Sequence, residues 1–136
     1  MLSEVDFLAV VAAAVAPMVL GTVWYGPLFG KAWMRAHGHT PERLEELKKG
    51  MGRAYGLSFV CYLVMATVLS ILLGWVGAVN VWAGVWMAFL CWLGFAATIG
   101  LTAHLFSDRN PAAYAIDATY QLAYMLAMGA ILGAWR

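Results

Sequence analysis

The run from Pro111 to Trp135 is long and apolar enough to cross a bilayer, yet it carries an acid, Asp117, with Tyr114, Tyr120, Gln121 and Tyr124 close by. A carboxylate in hydrocarbon costs at least about 2.5 to 3.5 kcal/mol on insertion scales, so it must face a bundle interior, take a partner or hold a proton. Three further apolar runs can form the wall it would face. With 64% hydrophobic and only 11% charged residues, the chain has too little polar side chain to cover a soluble domain of its size. The expected fold is all-α: a polytopic integral membrane protein whose four transmembrane helices form a bundle as a single domain. The spans fall at about 5–25, 53–73, 81–105 and 112–135, each near the roughly 20 residues that hydrocarbon requires.

The first span resembles a secretory signal in its small residues Ala12, Ala14 and Ala16. Its flanks argue otherwise, because Glu4 and Asp6 precede the apolar run and the basic residues follow it. Pro17 lies mid-span and leaves the Ala13 carbonyl without its helical donor. The span ends in Trp24-Tyr25-Gly26-Pro27, with Lys31, Trp33 and Arg35 beyond. Trp24, Tyr25 and Trp33 suit the headgroup level and Gly26-Pro27 bends the helix. A sharper reading makes Trp24 and Tyr25, with Tyr124, part of a lipid or ligand pocket.

Between spans one and two, Thr40-Pro41 starts and Lys48-Lys49-Gly50 closes a short cytoplasmic amphipathic helix, with Glu45 and Lys49 one turn apart. His37 and His39 have no third ligand at metal-site spacing. Cys61 and Cys91 lie inside apolar runs, so neither a disulfide nor a metal site is expected, and no cofactor. Small residues four apart, Gly84 with Ala88, Ala96 with Gly100, Ala9 with Ala13 and Ala12 with Ala16, allow close helix approach. Asn110-Pro111 suits the start of the last span.

Orientation follows from the basic residues. Lys31, Arg35, Arg43, Lys48, Lys49 and Arg53 lie around the first loop and Arg109 in the third, leaving Arg136 alone at the C-terminus. By the positive-inside rule both termini are expected outside. One polar set then reaches a common depth: Trp24 and Tyr25; Arg53, Tyr55, Ser58 and Tyr62; Thr98, Thr102 and His104; Tyr114, Asp117 and Gln121. Asp117 lies roughly 8 to 9 Å below the start of its span at 1.5 Å per residue. The candidate intramembrane polar site is therefore Asp117, Gln121, Tyr120, Tyr114 and Arg53. Arg53 is the favoured partner of the acid, and Tyr55 and His104 are the alternatives.

No Ser/His/Asp, paired-carboxylate or phosphate-loop pattern is present, so no catalytic residue is expected. Glu42, Glu45 and Glu46 balance the basic loop, which argues against nucleic-acid binding.

The string Gly21-x-x-Trp24-Tyr25-Gly26-Pro27-Leu28-Phe29-Gly30-Lys31-x-Trp33 belongs with Asp117-x-x-Tyr120-Gln121-Leu122 and Met128-Gly129-Ala130-Ile131-Leu132-Gly133-x-Trp135. Together they resemble the bacterial membrane family known as domain of unknown function seventeen sixty-one. The resemblance implies a small four-span protein of a bacterial inner membrane, and carries no activity, cofactor or catalytic residue with it.

Three functional readings follow. The leading one is a non-enzymatic helix-packing protein, a homo-oligomer or an accessory to other membrane subunits. The second is a small transporter or ion pathway using Asp117. The third is a protein that binds membrane lipids or another hydrophobic ligand.

Overall fold

The structure, a computed structural model, describes residues 5–28, 30–32, 51–77, 80–107 and 110–135. Helix α1 (Phe7–Val23) continues into a π-helical turn at Trp24–Leu28, and α2 spans Met51–Val76. Helix α3 (Val81–Cys91) passes through a second π turn, Trp92–Ala96, into α4 (Ala97–Leu105), and α5 is Pro111–Ala134. The described residues contain no strand. Four continuous rods result, Phe7–Leu28, Gly52–Val76, Val81–Leu105 and Pro111–Ala134, each long and apolar enough to cross a membrane. A helix satisfies its backbone within the segment, as hydrocarbon demands. The chain is thus an all-helical multi-pass membrane protein.

Polar side chains set the helix starts. Asp6 Oδ1 accepts from the N–H groups of Leu8 at 3.0 Å and Ala9 at 3.3 Å. Asn80 Oδ1 does the same for Ala83 at 2.9 Å, and Asn110 Oδ1 for Ala112 at 2.8 Å, with Pro111 in the first turn where no N–H is needed. Helix α2 runs past Leu73, its expected end, to Val76, because no residue in Gly74-Trp75-Val76 stops it. Gly77, at φ +71°, then closes it with a bond to the Gly74 carbonyl.

The third span departs from the single helix expected of it. The π turn at Trp92–Ala96 divides it, with the Ala97 N–H reaching the Trp92 carbonyl. Thr98 Oγ1 covers the Gly94 and Phe95 carbonyls at 2.9 and 3.1 Å, so the widened turn keeps its acceptors satisfied. The first π turn has a local cause: Pro27 has no N–H for the Val23 carbonyl and its ring crowds that group, so the helix widens there.

Helix α5 is the central element, packed against α1 on one side and α3 and α4 on the other, while α2 lies mainly on α1. The core is built largely from small and aliphatic residues, including Ala9, Ala13, Ala66, Leu73, Ala88, Met128 and Leu132. Helices α3 and α5 meet backbone to backbone. A methyl added at Gly84 would overlap the Gly129 carbonyl, and one at Gly129 would stand 2.8 Å from the Ala88 methyl. Large apolar side chains such as Trp82, Phe95, Ile99 and Phe106 point outward, an inside-out distribution suited to a lipid solvent. The expected amphipathic helix, His37, His39 and Trp33 all lie outside the described residues.

Candidate intramembrane polar site

The end of α1 presents one face to the start of α5. Gly21, Trp24 and Tyr25 stand three and four residues apart, so they share that face. Each meets a different part of α5. Trp24 Nε1 donates to the Ile116 carbonyl at 3.2 Å, and Tyr25 Oη donates to Asp117 Oδ1 at 2.5 Å. Gly21 leaves room for the Tyr120 ring, since a methyl there would stand 2.9 Å from its hydroxyl oxygen.

A second indole reaches α5 from the opposite side. Trp92 Nε1, in the other π turn, donates to the Ala118 carbonyl at 3.1 Å. The carbonyls on both sides of Asp117 are therefore held by tryptophans that each open a π turn. Two indole bonds and the Tyr25 hydroxyl fix the backbone and the carboxylate together, so the acid has a defined direction within the bundle.

Tyr120 carries the network inward. Its hydroxyl donates to the Pro17 carbonyl at 2.7 Å and lies 3.1 Å from the Tyr62 hydroxyl. The rings pack edge to face in sequence: Tyr25 on Tyr120 at 5.1 Å, Tyr120 on Tyr124 at 5.0 Å, and Tyr124 on Tyr62 at 5.2 Å. Such pairs add roughly 0.5 to 1.5 kcal/mol each beyond the area they bury. Tyr120 and Tyr124 are buried, whereas Trp24, Tyr25 and Tyr62 are half-buried.

On the other side of Asp117, α4 and α5 part to leave a cleft of about 230 Å³. Gly100, Ala103, His104 and Ser107 line it from the α4 side, and Tyr114, Asp117, Ala118 and Gln121 from α5. Tyr114 braces the cleft by donating from Oη to the Ala97 carbonyl at 2.8 Å while its ring stacks on His104 at 5.1 Å. His104 Nδ1 is buried and has no hydrogen-bond partner among the described residues, an uncommon state for a buried ring nitrogen. No group of three His, Cys, Asp or Glu side chains among the described residues is placed to hold a metal ion.

The sequence-derived site is brought together only in part. Asp117, Gln121 and Tyr114 border the cleft, and Tyr120 lies on the face of α5 that meets α1. The favoured Arg53 pairing is not formed. Arg53 is exposed and among the described residues makes no ion pair, and α2 lies chiefly on α1 rather than on α5. Tyr55 is also exposed, and His104 shares the cleft with Asp117 without a hydrogen bond to it. The partner that sequence reasoning assigned elsewhere is Tyr25, taken as an interfacial aromatic. The spacing held a clue, since Gly21-x-x-Trp24-Tyr25 and Asp117-x-x-Tyr120 are matching one-turn patterns on antiparallel helices. Trp92 and the Pro17 carbonyl were missed and had no comparable signal.

Comparison with known proteins adds one finding. No curated protein and no solved structure matches the chain. A family model described as Protein of unknown function (DUF1761) matches residues 8–133, which take in the Tyr25 and Asp117 contact and nearly all of the four rods. The chain belongs to this family, DUF1761.

Proposed function

We propose that this protein binds a small polar ligand within the membrane, in the cleft between α4 and α5, and performs no chemistry on it. The observation that carries the reading is Asp117, an acid inside an apolar rod that borders a cavity of about 230 Å³ and is aimed by Tyr25 and two flanking indole bonds. A structural lock alone has no use for a polar cavity beside it. The volume also exceeds by far the ~10 to 15 Å³ that one water needs. The helix-packing reading loses its strongest signal, because the Gly84 and Ala88 face is already occupied by α5 of the same chain.

We infer by the positive-inside rule that the cleft end of the bundle is cytoplasmic and both termini are outside; the basic residues around the first loop support this reading. In that position the ligand reaches the cleft from the cytoplasm or from the inner leaflet.

The test is thiol accessibility. In a variant lacking Cys61 and Cys91, Gln121→Cys faces the cleft, and Thr119→Cys lies on an exposed face of α5 that lipid would cover. A small water-soluble methanethiosulfonate should modify the cysteine at 121 much faster than that at 119, because only a hydrated thiol ionises and reacts. Equal protection of both positions would remove the cleft as a ligand site.

A further inference from the structure

The third rod is held to α5 differently on the two sides of its π turn. Before the turn, α3 meets α5 backbone to backbone, and a methyl added at Gly84 or Gly129 would overlap atoms of the facing helix. At the turn, Trp92 Nε1 donates to the Ala118 carbonyl at 3.1 Å. After the turn the contact thins, and the cleft of about 230 Å³ opens between α4 and α5.

One α5 side chain reaches across that gap. Tyr114 Oη donates to the Ala97 carbonyl at 2.8 Å, and its ring stacks on His104 at 5.1 Å. A methyl at Gly100 would stand 3.4 Å from the same ring. Ala97, Gly100 and His104 are spaced three and four residues apart, so a single stripe of α4 rests on Tyr114. Ile99, Leu101 and Leu105 are exposed elsewhere on α4, and among the described residues α5 is its main helical neighbour.

The π turn supplies a joint. The Ala97 N–H reaches back five residues to the Trp92 carbonyl, and the Thr98 hydroxyl covers the Gly94 and Phe95 carbonyls. A hydroxyl can follow a bend that a regular ladder of backbone bonds opposes. Gly94 lies within the turn with nothing within 4 Å of the place where a Cβ would stand, so no neighbouring group wedges it. Hinges are built from a few such residues at the ends of elements, and π turns recur at functional sites.

Resting on the cleft being a ligand site, we infer that α4 is its gate, a half-helix that swings about the π turn at Trp92–Ala96 and is latched against α5 by Tyr114. The ligand enters when the Tyr114 bond to Ala97 opens and α4 tilts away from α5. Helix α3 stays fixed to α5 throughout.

The experiment uses the full chain in nanodiscs, in the background without Cys61 and Cys91. Nitroxide labels at Leu105→Cys on α4 and at Leu90→Cys on α3 are each paired with one at Val60→Cys on α2, all three positions being exposed. Distance distributions from double electron–electron resonance are compared with and without Tyr114→Phe, which keeps the ring and removes the hydroxyl. The Leu105 pair should show a second distance whose share grows about threefold or more in Tyr114→Phe. The Leu90 pair should keep one distance in both proteins, which also shows that the variant is folded. Methanethiosulfonate modification of Gln121→Cys should accelerate by a similar factor.

Unchanged Leu105 distances, with the cysteine at 121 still far more reactive than that at 119, would overturn the gate and leave the cleft as a site. Equal shifts of the Leu90 and Leu105 pairs would overturn the joint, because the rod would then move as one piece. Protection of the cysteine at 121 in both proteins would overturn the cleft and the gate together.

Discussion

Tyr25 Oη donates to Asp117 Oδ1 at 2.5 Å, joining residues 92 positions apart in the chain and fastening the first rod to the last. This bond accounts for an acid in an apolar rod without requiring a basic side chain from α2. Interhelical hydrogen bonds in membranes are worth about 0.6 kcal/mol on average and up to about 1.7 kcal/mol. Tyr25→Phe should therefore destabilise the protein by about 1 kcal/mol in that range, read by reversible unfolding in mixed micelles. Arg53→Gln should leave the midpoint unchanged, since Arg53 is exposed and makes no ion pair among the described residues.

The crossing of α3 and α5 depends on missing side chains. Gly129→Val would drive methyls into the Gly84 carbonyl and the Ala88 methyl, and overpacking of this kind costs about 3 kcal/mol or prevents folding. Gly56→Ala meets nothing within 4 Å on the exposed side of α2 and should stabilise the helix by about 0.5 to 1 kcal/mol. Equal effects at the two positions would show that α3 and α5 do not meet through glycine.

Gly21 and Tyr120 form a pair suited to a double-mutant cycle. The methyl of Gly21→Ala stands 2.9 Å from the Tyr120 hydroxyl oxygen but 3.4 Å from its ring carbon Cζ. Removing that hydroxyl with Tyr120→Phe should relieve the crowding. The cost of Gly21→Ala is then smaller in the Tyr120→Phe background, with a coupling of about 1 kcal/mol. Additive effects would place the ring elsewhere.

The four rods were legible because apolar length alone defines them, and Asn110-Pro111 marked a start that the Asn110 cap and the α5 bounds share. The partner of Asp117 was not. A formal charge invites the search for an opposite charge, and Arg53 stood at a suitable depth in a one-dimensional reading. Depth says nothing about azimuth. The rotation of α2 about its axis sends Arg53 outward, while the one-turn face of Gly21, Trp24 and Tyr25 looks directly at α5. The π turn at Trp92–Ala96 had no local signature at all. It contains no proline, and its partners, the Ala118 carbonyl and the Thr98 hydroxyl, come from packing and from the first turn of α4.

Orientation has its own test. Ser107 lies at the cleft end of the bundle and Ala134 at the other, and both are exposed. In the background without Cys61 and Cys91, Ala134→Cys should react with a membrane-impermeant maleimide on intact cells. Ser107→Cys should react only after permeabilisation. The reverse pattern would place the cleft outside and set aside the positive-inside assignment for this chain.

A ligand held beside Asp117 is read out by native mass spectrometry of the protein released from its own membranes, compared side by side with Ala103→Phe, which narrows the cleft from an exposed position. The expected result is a bound mass of one per chain that the variant lacks, with the rest of the lipid adducts unchanged. Identical adduct patterns in the two proteins would contradict it and return Asp117 to a role in fastening the helices alone.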